Sequence, residues 1–283
     1  MDKLPGLVVT NEVPRQYGGP HGYGHHWDGA QKKAPLTQLA ASKQWAAPAA
    51  AVVDLRDLVL GKGGPGILDQ GPTSGCVGHA HVGSVMVRLV AMGTPAPYLL
   101  SPTFAYKVAR IVDRVEVNGV LPPMQDMGSL PSACIRGIGK WGVCSYDKCP
   151  TNPATVNNEP TLLELEQSYA VRPQGIYEVL GTGADREDQI KAALAHRYPL
   201  TIATVVDQAF EEWRGGDPIG APDLTRALGG HDIYLVGYEV LSTGVTQYWI
   251  ANSWGTLWGE NGFARVSSDW IQAAMDIEVV ELG

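Results

Sequence analysis

Asp69-Gln70-Gly71-Pro72-Thr73-Ser74-Gly75-Cys76-Val77-Gly78-His79-Ala80 is a loop rich in Gly, Pro, Ser and Thr that runs into a cysteine. Beyond it the apolar residues Val77, Ala80, Val85, Met86, Leu89 and Val90 keep a helical spacing. Cys76 is therefore expected where a loop becomes the first turn of a helix. Backbone N–H groups and the positive end of the helix dipole favour a thiolate there. Gln70 carries an amide able to donate to a developing oxyanion. On this stretch alone, an inert small cysteine buried at a helix start explains the pattern equally well.

Two distant stretches change that balance. Gly229-Gly230-His231-Asp232-Ile233-Tyr234-Leu235-Val236-Gly237-Tyr238 sets a histidine after two glycines, at the expected start of a strand. Tyr248-Trp249-Ile250-Ala251-Asn252-Ser253-Trp254-Gly255-Thr256-Leu257-Trp258-Gly259-Glu260-Asn261-Gly262 is a strand that ends in asparagine, followed by two tryptophans in a glycine-rich turn. Cysteine-based nucleophilic catalysis needs a thiolate, a proton carrier beside it and a group that orients the carrier's ring. Cys76, His231 and Asn252 are of the right types. A neutral asparagine suits a resting thiolate–imidazolium pair, and Trp254 is placed to shield the Asn–His hydrogen bond from water.

The order of elements supports a cleft. Helices are expected after Cys76 to about residue 93, from Ser101-Pro102-Thr103 onward with proline at the first helical position, and over residues 129–141, 161–170 and 186–197. Segments 175–180, 199–206, 232–240, 247–251, 262–266 and 277–282 are β-branched or alternating and separated by turn residues. Helices first and strands second describe an α+β protein, with a helical half at about 53–170 and a mostly antiparallel sheet half at about 171–283. A ligand site between two such halves follows. Residues 1–52 read as an N-terminal arm, turn-rich around residues 18–27, with a short helix expected near 36–45. His21, His25 and His26 in that arm read as surface residues and not as a metal site.

With these residues in view, the chain resembles the papain-like cysteine peptidases. The loop from Asp69 to Cys76 resembles that family's nucleophile stretch, Gly229-Gly230-His231 with Val236-Gly237-Tyr238 its histidine stretch, and Asn252-Ser253-Trp254-Gly255 with Trp258-Gly259-Glu260-Asn261-Gly262 its asparagine stretch. Coverage is about residues 53–283. The resemblance implies a papain-like two-subdomain fold, a helical half and an antiparallel sheet or barrel half with the active-site cleft between them. It implies a cysteine-type peptidase in which Cys76 attacks a peptide carbonyl, His231 carries the proton, Asn252 orients the imidazole and Gln70 joins the Cys76 N–H in an oxyanion hole. It also implies that Gly128 and Gly230 line the substrate cleft, and that no cofactor is needed.

The departures from the family pattern are specific. Val77 stands where a tryptophan usually follows the nucleophile. Thr73 stands where secreted members carry a disulfide cysteine. Asp126-Met127-Gly128-Ser129 replaces the cleft stretch of those members and, with Val53-Asp54-Leu55-Arg56, resembles the bacterial and phage branch. Asp232 follows the histidine where a small residue is usual, and strand alternation is expected to turn it away from the ring. His79 shares a helical face with Cys76, whereas His81 lies on another face and reads as structural. Trp258 reads as a lid on the Asn252 loop. Two other readings stay open: a catalytically silent papain-like binding module, and an amidase acting on cell-wall peptides with the same four residues.

Composition narrows the partners. The net charge of −8 over 283 residues, with no basic run, argues against nucleic acid. No apolar run is long enough to span a membrane, and Leu7-Val8-Val9 is too short for a secretory core. The expectation is a cytoplasmic protein acting on a peptide or protein substrate, with packaging into a particle or export by another route still open. The arm is read as a permanent wrap around the domain or a docking device for a larger assembly. Cys134, Cys144 and Cys149, without a CxxC, read as reduced thiols, with a Cys144–Cys149 pairing open.

Overall fold

In the computed structural model, residues 33–116, 118 and 120–283 are described; His21, His25 and His26 lie outside them. The arm enters as a two-residue strand β1 (Ala34–Pro35) and helix α1 (Leu36–Ser42). Leu36 and Leu39 are buried in the same core as the central strands. Strand β2 (Val52–Asp54) and helix α2 (Arg56–Leu60) lead to the loop before α3 (Cys76–Ala91).

The helical half consists of α3, α4 (Pro102–Asp113), α5 (Pro131–Trp141) and the short α6 (Leu162–Glu166). The starts of α4 and α6 are written in sequence. Ser101 Oγ accepts from the Phe104 N–H at 2.9 Å, with Pro102 at the first position. Thr161 and Glu164 form a reciprocal capping box on α6. The expected helix over 161–170 is cut short because Val143 and Tyr169 exchange two backbone hydrogen bonds, 3.0 and 2.9 Å, and hold that segment extended. Glycine lets α3 lie close to its neighbours. A Cβ on Gly78 would sit 2.3 Å from the Pro102 carbonyl oxygen of α4, and one on Gly83 would sit 2.5 Å from the Tyr234 ring.

The sheet half contains β3 (Pro173–Glu178), α7 (Gly183–Ala195), β4 (Leu200–Val206), α8 (Gln208–Glu212), β5 (Gly229–Val240), β6 (Thr246–Ala251), β7 (Phe263–Ser267), α9 (Ser268–Ala273) and β8 (Asp276–Leu282). The strand order is β1-β3-β8-β4-β5-β6-β7, with β2 added to β5. Every pair is antiparallel except β1 with β3. This is the α+β arrangement of a helical half and a mostly antiparallel sheet half that the sequence predicted, although β2 crosses to the sheet half.

Two apolar cores result. One gathers α1, α7 and the inner strands around Trp270, Tyr238 and Tyr248. The other gathers α3, α4 and α5 around Phe104 and Ile138. Strand β8 contributes to both: Ile277 and Val279 pack in the first, and Val280 and Leu282 in the second. Alternation along a strand produces this division, and it turns Asp276 and Glu278 toward the helical half. No helix among the described residues is long and apolar enough to cross a membrane.

Candidate active site

Cys76 is the first residue of α3 and is fully buried. Gly75 precedes it and offers no side-chain cap, so the dipole of a sixteen-residue helix acts on the sulfur without competition from a capping side chain. Thr73 closes the preceding turn, its Oγ1 donating to the Gln70 carbonyl at 2.8 Å.

His231 is the third residue of β5 rather than the residue before its start, because β4 pairs with β5 all the way from Leu200↔Leu235 to Val206↔Gly229. Its Nε2 lies 2.8 Å from Asn252 Oδ1. The backbone N–H of Ser253 also donates to that oxygen, at 2.7 Å. A backbone N–H can only donate, so the Asn252 amide is oriented with its oxygen toward the ring, and Nε2 carries the proton. Nδ1 is then the ring nitrogen left to exchange a proton with a thiol. Trp254 stacks on the imidazole with centroids 4.8 Å apart. Trp258 packs edge-on against Trp254 at 5.6 Å and donates its indole N–H to the Phe210 carbonyl.

Gln70 is buried and fixed at both ends. Its Nε2 donates to the Thr73 carbonyl at 2.8 Å, and its Oε1 accepts from Ser253 Oγ at 2.6 Å. The backbone joins the same two loops, through Gln70 N to Ser253 O at 2.8 Å and Gly255 N to Leu68 O at 3.1 Å. The nucleophile loop and the asparagine loop are therefore one hydrogen-bonded unit.

Strand alternation does turn Asp232 away from the His231 ring, but the face it turns to is that of α3. Its Oδ2 is 3.8 Å from Cys76 Sγ. The strand that carries the histidine thus crosses the start of the cysteine's helix. His79 is committed elsewhere, with Nδ1 2.7 Å from the Gly75 carbonyl and Nε2 3.3 Å from Thr151 Oγ1; burial pushes its pKa down to about 4, so it stays neutral.

The other cleft residues are placed as follows. Gly128 is buried at φ 89°, and its N–H donates to Tyr106 Oη at 2.8 Å. Gly230 is half-buried and paired with Val205. Sequence reasoning missed Tyr106 and the tether made by Asp126. Tyr106 Oη donates to Asp126 Oδ1 at 2.9 Å, and the same oxygen accepts from the Ser74 N–H at 2.9 Å, which ties one cleft wall to the nucleophile loop. Ser253 was also missed, although its place directly after Asn252 was a usable signal. All four cysteines are free, and no cluster among the described residues could hold a metal ion.

A sequence model of the papain family cysteine protease matches residues 130–281. That span holds His231 and Asn252, whereas Gln70 and Cys76 precede it. An uncharacterised peptidase C1-like protein of Acanthamoeba polyphaga mimivirus is 23% identical over 227 residues, covering 78% of this chain and 70% of that protein. A cathepsin B-like protein of Giardia intestinalis is 27% identical over 210 residues, covering 71% of this chain and 64% of its own length, just under two thirds. Among solved structures, xylellain, a cysteine protease from Xylella fastidiosa, is similar in fold, with a TM-score of 0.67 at 21% identity over 93% of this chain and 96% of that one.

Proposed function

The chain belongs to the papain family of cysteine proteases, and from that membership we propose that it hydrolyses peptide bonds through Cys76, His231, Asn252 and Gln70. The observation that carries the reading is the His231 Nε2–Asn252 Oδ1 hydrogen bond of 2.8 Å beneath Trp254, on the strand that crosses the helix start bearing Cys76. The thiolate attacks the carbonyl carbon and forms a C–S bond as the carbonyl oxygen takes the negative charge. The Cys76 N–H and the second N–H of the Gln70 amide are the donors assigned to that oxygen. The imidazolium gives its Nδ1 proton to the leaving amine as the C–N bond breaks. Water then attacks the thioester, loses its proton to His231, and releases acid and thiolate. Asn252 holds the ring in the tautomer this requires.

The finer placement, in the bacterial and phage branch, rests on the stretches Asp126-Met127-Gly128-Ser129 and Val53-Asp54-Leu55-Arg56. For the arm, burial of Leu36 and Leu39 supports a permanent wrap over a docking device. Four free thiols support a reducing compartment such as the cytoplasm.

The test is cleavage of a peptide library by the full chain, with iodoacetamide labelling mapped in parallel. Cleavage that disappears in Cys76→Ala and in His231→Ala is the expected result. Cleavage retained in Cys76→Ala would remove the reading. Release of cell-wall peptides with no activity on the library would move the substrate class to an amidase.

A further inference from the structure

Asp232 follows His231 on β5 and, by strand alternation, faces the other way. It is 1% exposed. Its Oδ2 lies 3.8 Å from Cys76 Sγ, with the thiol as donor. Small residues let the strand and the helix start come this close. Asp232 pairs with Ala203 of β4, and Ala80, one turn along α3, lines the same small cavity as Asp232. An ionised carboxyl only accepts, and a thiol is a donor only while it keeps its proton. The contact therefore belongs to a neutral thiol and not to a thiolate.

The charges around Asp232 favour that neutral form. From α3, His81 Nε2 pairs with Glu278 Oε1 at 2.9 Å. From β8, Asp276 lies across Ala203 from Asp232, and Lys33 of the arm bridges Asp276 and Glu278, its Nζ 2.5 and 2.7 Å from their oxygens. From α5 comes Cys134, whose thiol is pushed up by burial and then by the Asp232 charge. On β5 itself, Tyr234 shares the face of Asp232 as a phenol that burial keeps neutral, and His231 lies on the opposite face. The cations Lys33 and His81 are thus committed to Glu278 and Asp276, so a thiolate at Cys76 would be one more anion beside Asp232. The half charge at the start of α3 favours the thiolate, but a full carboxylate charge 3.8 Å away opposes it more strongly.

We infer that Asp232 is a proton-holding residue of the active site, which keeps Cys76 as a hydrogen-bonded thiol in the resting protein until the sulfur turns to His231. This rests on Cys76 as the nucleophile and His231 as its base. The step is a rotation about the Cys76 Cα–Cβ bond. The S–H contact to Asp232 breaks, the S–H meets His231 Nδ1, and the proton passes from sulfur to nitrogen, leaving a thiolate and an imidazolium. Asp232 keeps its charge throughout, and no other group gains or loses a proton. A neutral thiol reacts slowly with electrophiles and oxidants, so the nucleophile of the idle protein is protected.

The experiment times iodoacetamide labelling of Cys76 in the full chain between about pH 5 and 9 by peptide mapping, beside kcat/KM on a cleavable peptide. Iodoacetamide is uncharged, so its approach is indifferent to the charge that the variants remove. Asp232→Asn, nearly isosteric, is expected to move the labelling curve to lower pH and to raise the rate near pH 6 by about tenfold or more, as the thiolate fraction rises. The plateau at high pH is expected to stay within about twofold. Asp232→Ala is expected to act in the same direction, and Cys134 left unlabelled shows that each variant is folded. The acid limb of kcat/KM is expected to move with the labelling curve, whereas a merely structural change would scale the whole profile. Superimposed curves for the parent and both variants, or slower labelling in Asp232→Asn, would overturn the inference. A shifted labelling curve with no cleavage by any form would uphold it and instead remove the proposed peptidase activity.

Discussion

Ser253 Oγ donates a 2.6 Å hydrogen bond to Gln70 Oε1, which links the loop after Asn252 to the amide assigned to the oxyanion. In the proposed mechanism Ser253 touches no reacting atom; it positions the Gln70 amide. Ser253→Ala is expected to lower kcat by about tenfold, with KM little changed, the scale of one lost hydrogen bond. Ser253→Thr, which keeps the hydroxyl, is expected to recover most of the loss. Steady-state kinetics of the two variants, with the parent as reference, check it.

Asn252 is expected to matter through the tautomer of His231. Asn252→Ala removes the acceptor at 2.8 Å and frees the ring to turn under Trp254. A loss of about 10- to 100-fold in kcat/KM follows, within the range of general acid–base effects. The alkaline limb of the pH–rate profile is expected to move to lower pH as well, since the imidazolium that the mechanism needs loses a stabilising partner. A profile unchanged in shape, with only the amplitude reduced, would point to a purely structural role.

The thiols are expected to differ in reactivity. Cys134 lies in the helical core, and burial pushes its pKa well above the usual thiol value. Iodoacetamide at neutral pH is expected to leave Cys134 unmodified in the folded chain, and to modify it once the chain is denatured. Peptide mapping after timed alkylation reads Cys76 and Cys134 in the same sample.

The cluster behind the cleft gives stability a pH dependence. Burial raises the Glu278 pKa, but the hydrogen bond from His81 and the charge of Lys33 outweigh it and hold the carboxyl down to about 2. Its contribution is therefore complete above its unfolded value near 4.5 and is lost as pH falls through about 2. For His81, burial lowers the pKa, and the hydrogen bond and charge of Glu278 more than reverse it. That contribution is complete below about 6.5 and fades as pH rises through the raised folded value. Asp276 acts in the opposite sense: burial, and then the neighbouring Glu278, raise its pKa to about 6, so charging it on the way to neutral pH costs stability. The groups facing it are Lys33, Glu278 and, more remotely, Glu178. Glu278→Gln is expected to destabilise the fold by about 3–5 kcal/mol near neutral pH, because Lys33 and His81 lose a buried partner. The difference in Tm from the parent is expected to shrink toward pH 2.

Much of the site was legible because its chemistry is carried by residue type and order. Cys76 at a helix start, His231 beside two glycines and Asn252 at a strand end could each be placed from local pattern. The caps at Ser101 and Thr161 were equally local, though the length of α6 was not, since Tyr169 is held extended by Val143 from a distant turn. The Lys33–Asp276–Glu278–His81 cluster could not be read from sequence. Its members come from the arm, α3 and β8, separated by up to 245 positions, and only the register of three strands brings them to one face. Asp232 shows the same limit. Alternation correctly turned it from the imidazole, but nothing in the sequence says that α3 begins on the side it then faces.

Strand β8 has a further consequence. Its odd-numbered residues Ile277 and Val279 complete one core and its even-numbered residues Val280 and Leu282 the other, so the last strand of the chain is a shared wall. The two halves flank the cleft, yet neither can be finished without the same seven residues. They are architectural halves and not independent folding units, because neither interior is sealed until β8 is in place. A slip of one residue in that strand would set an aliphatic side chain against His81 and Lys33 in place of Glu278 and drive its charge into oil.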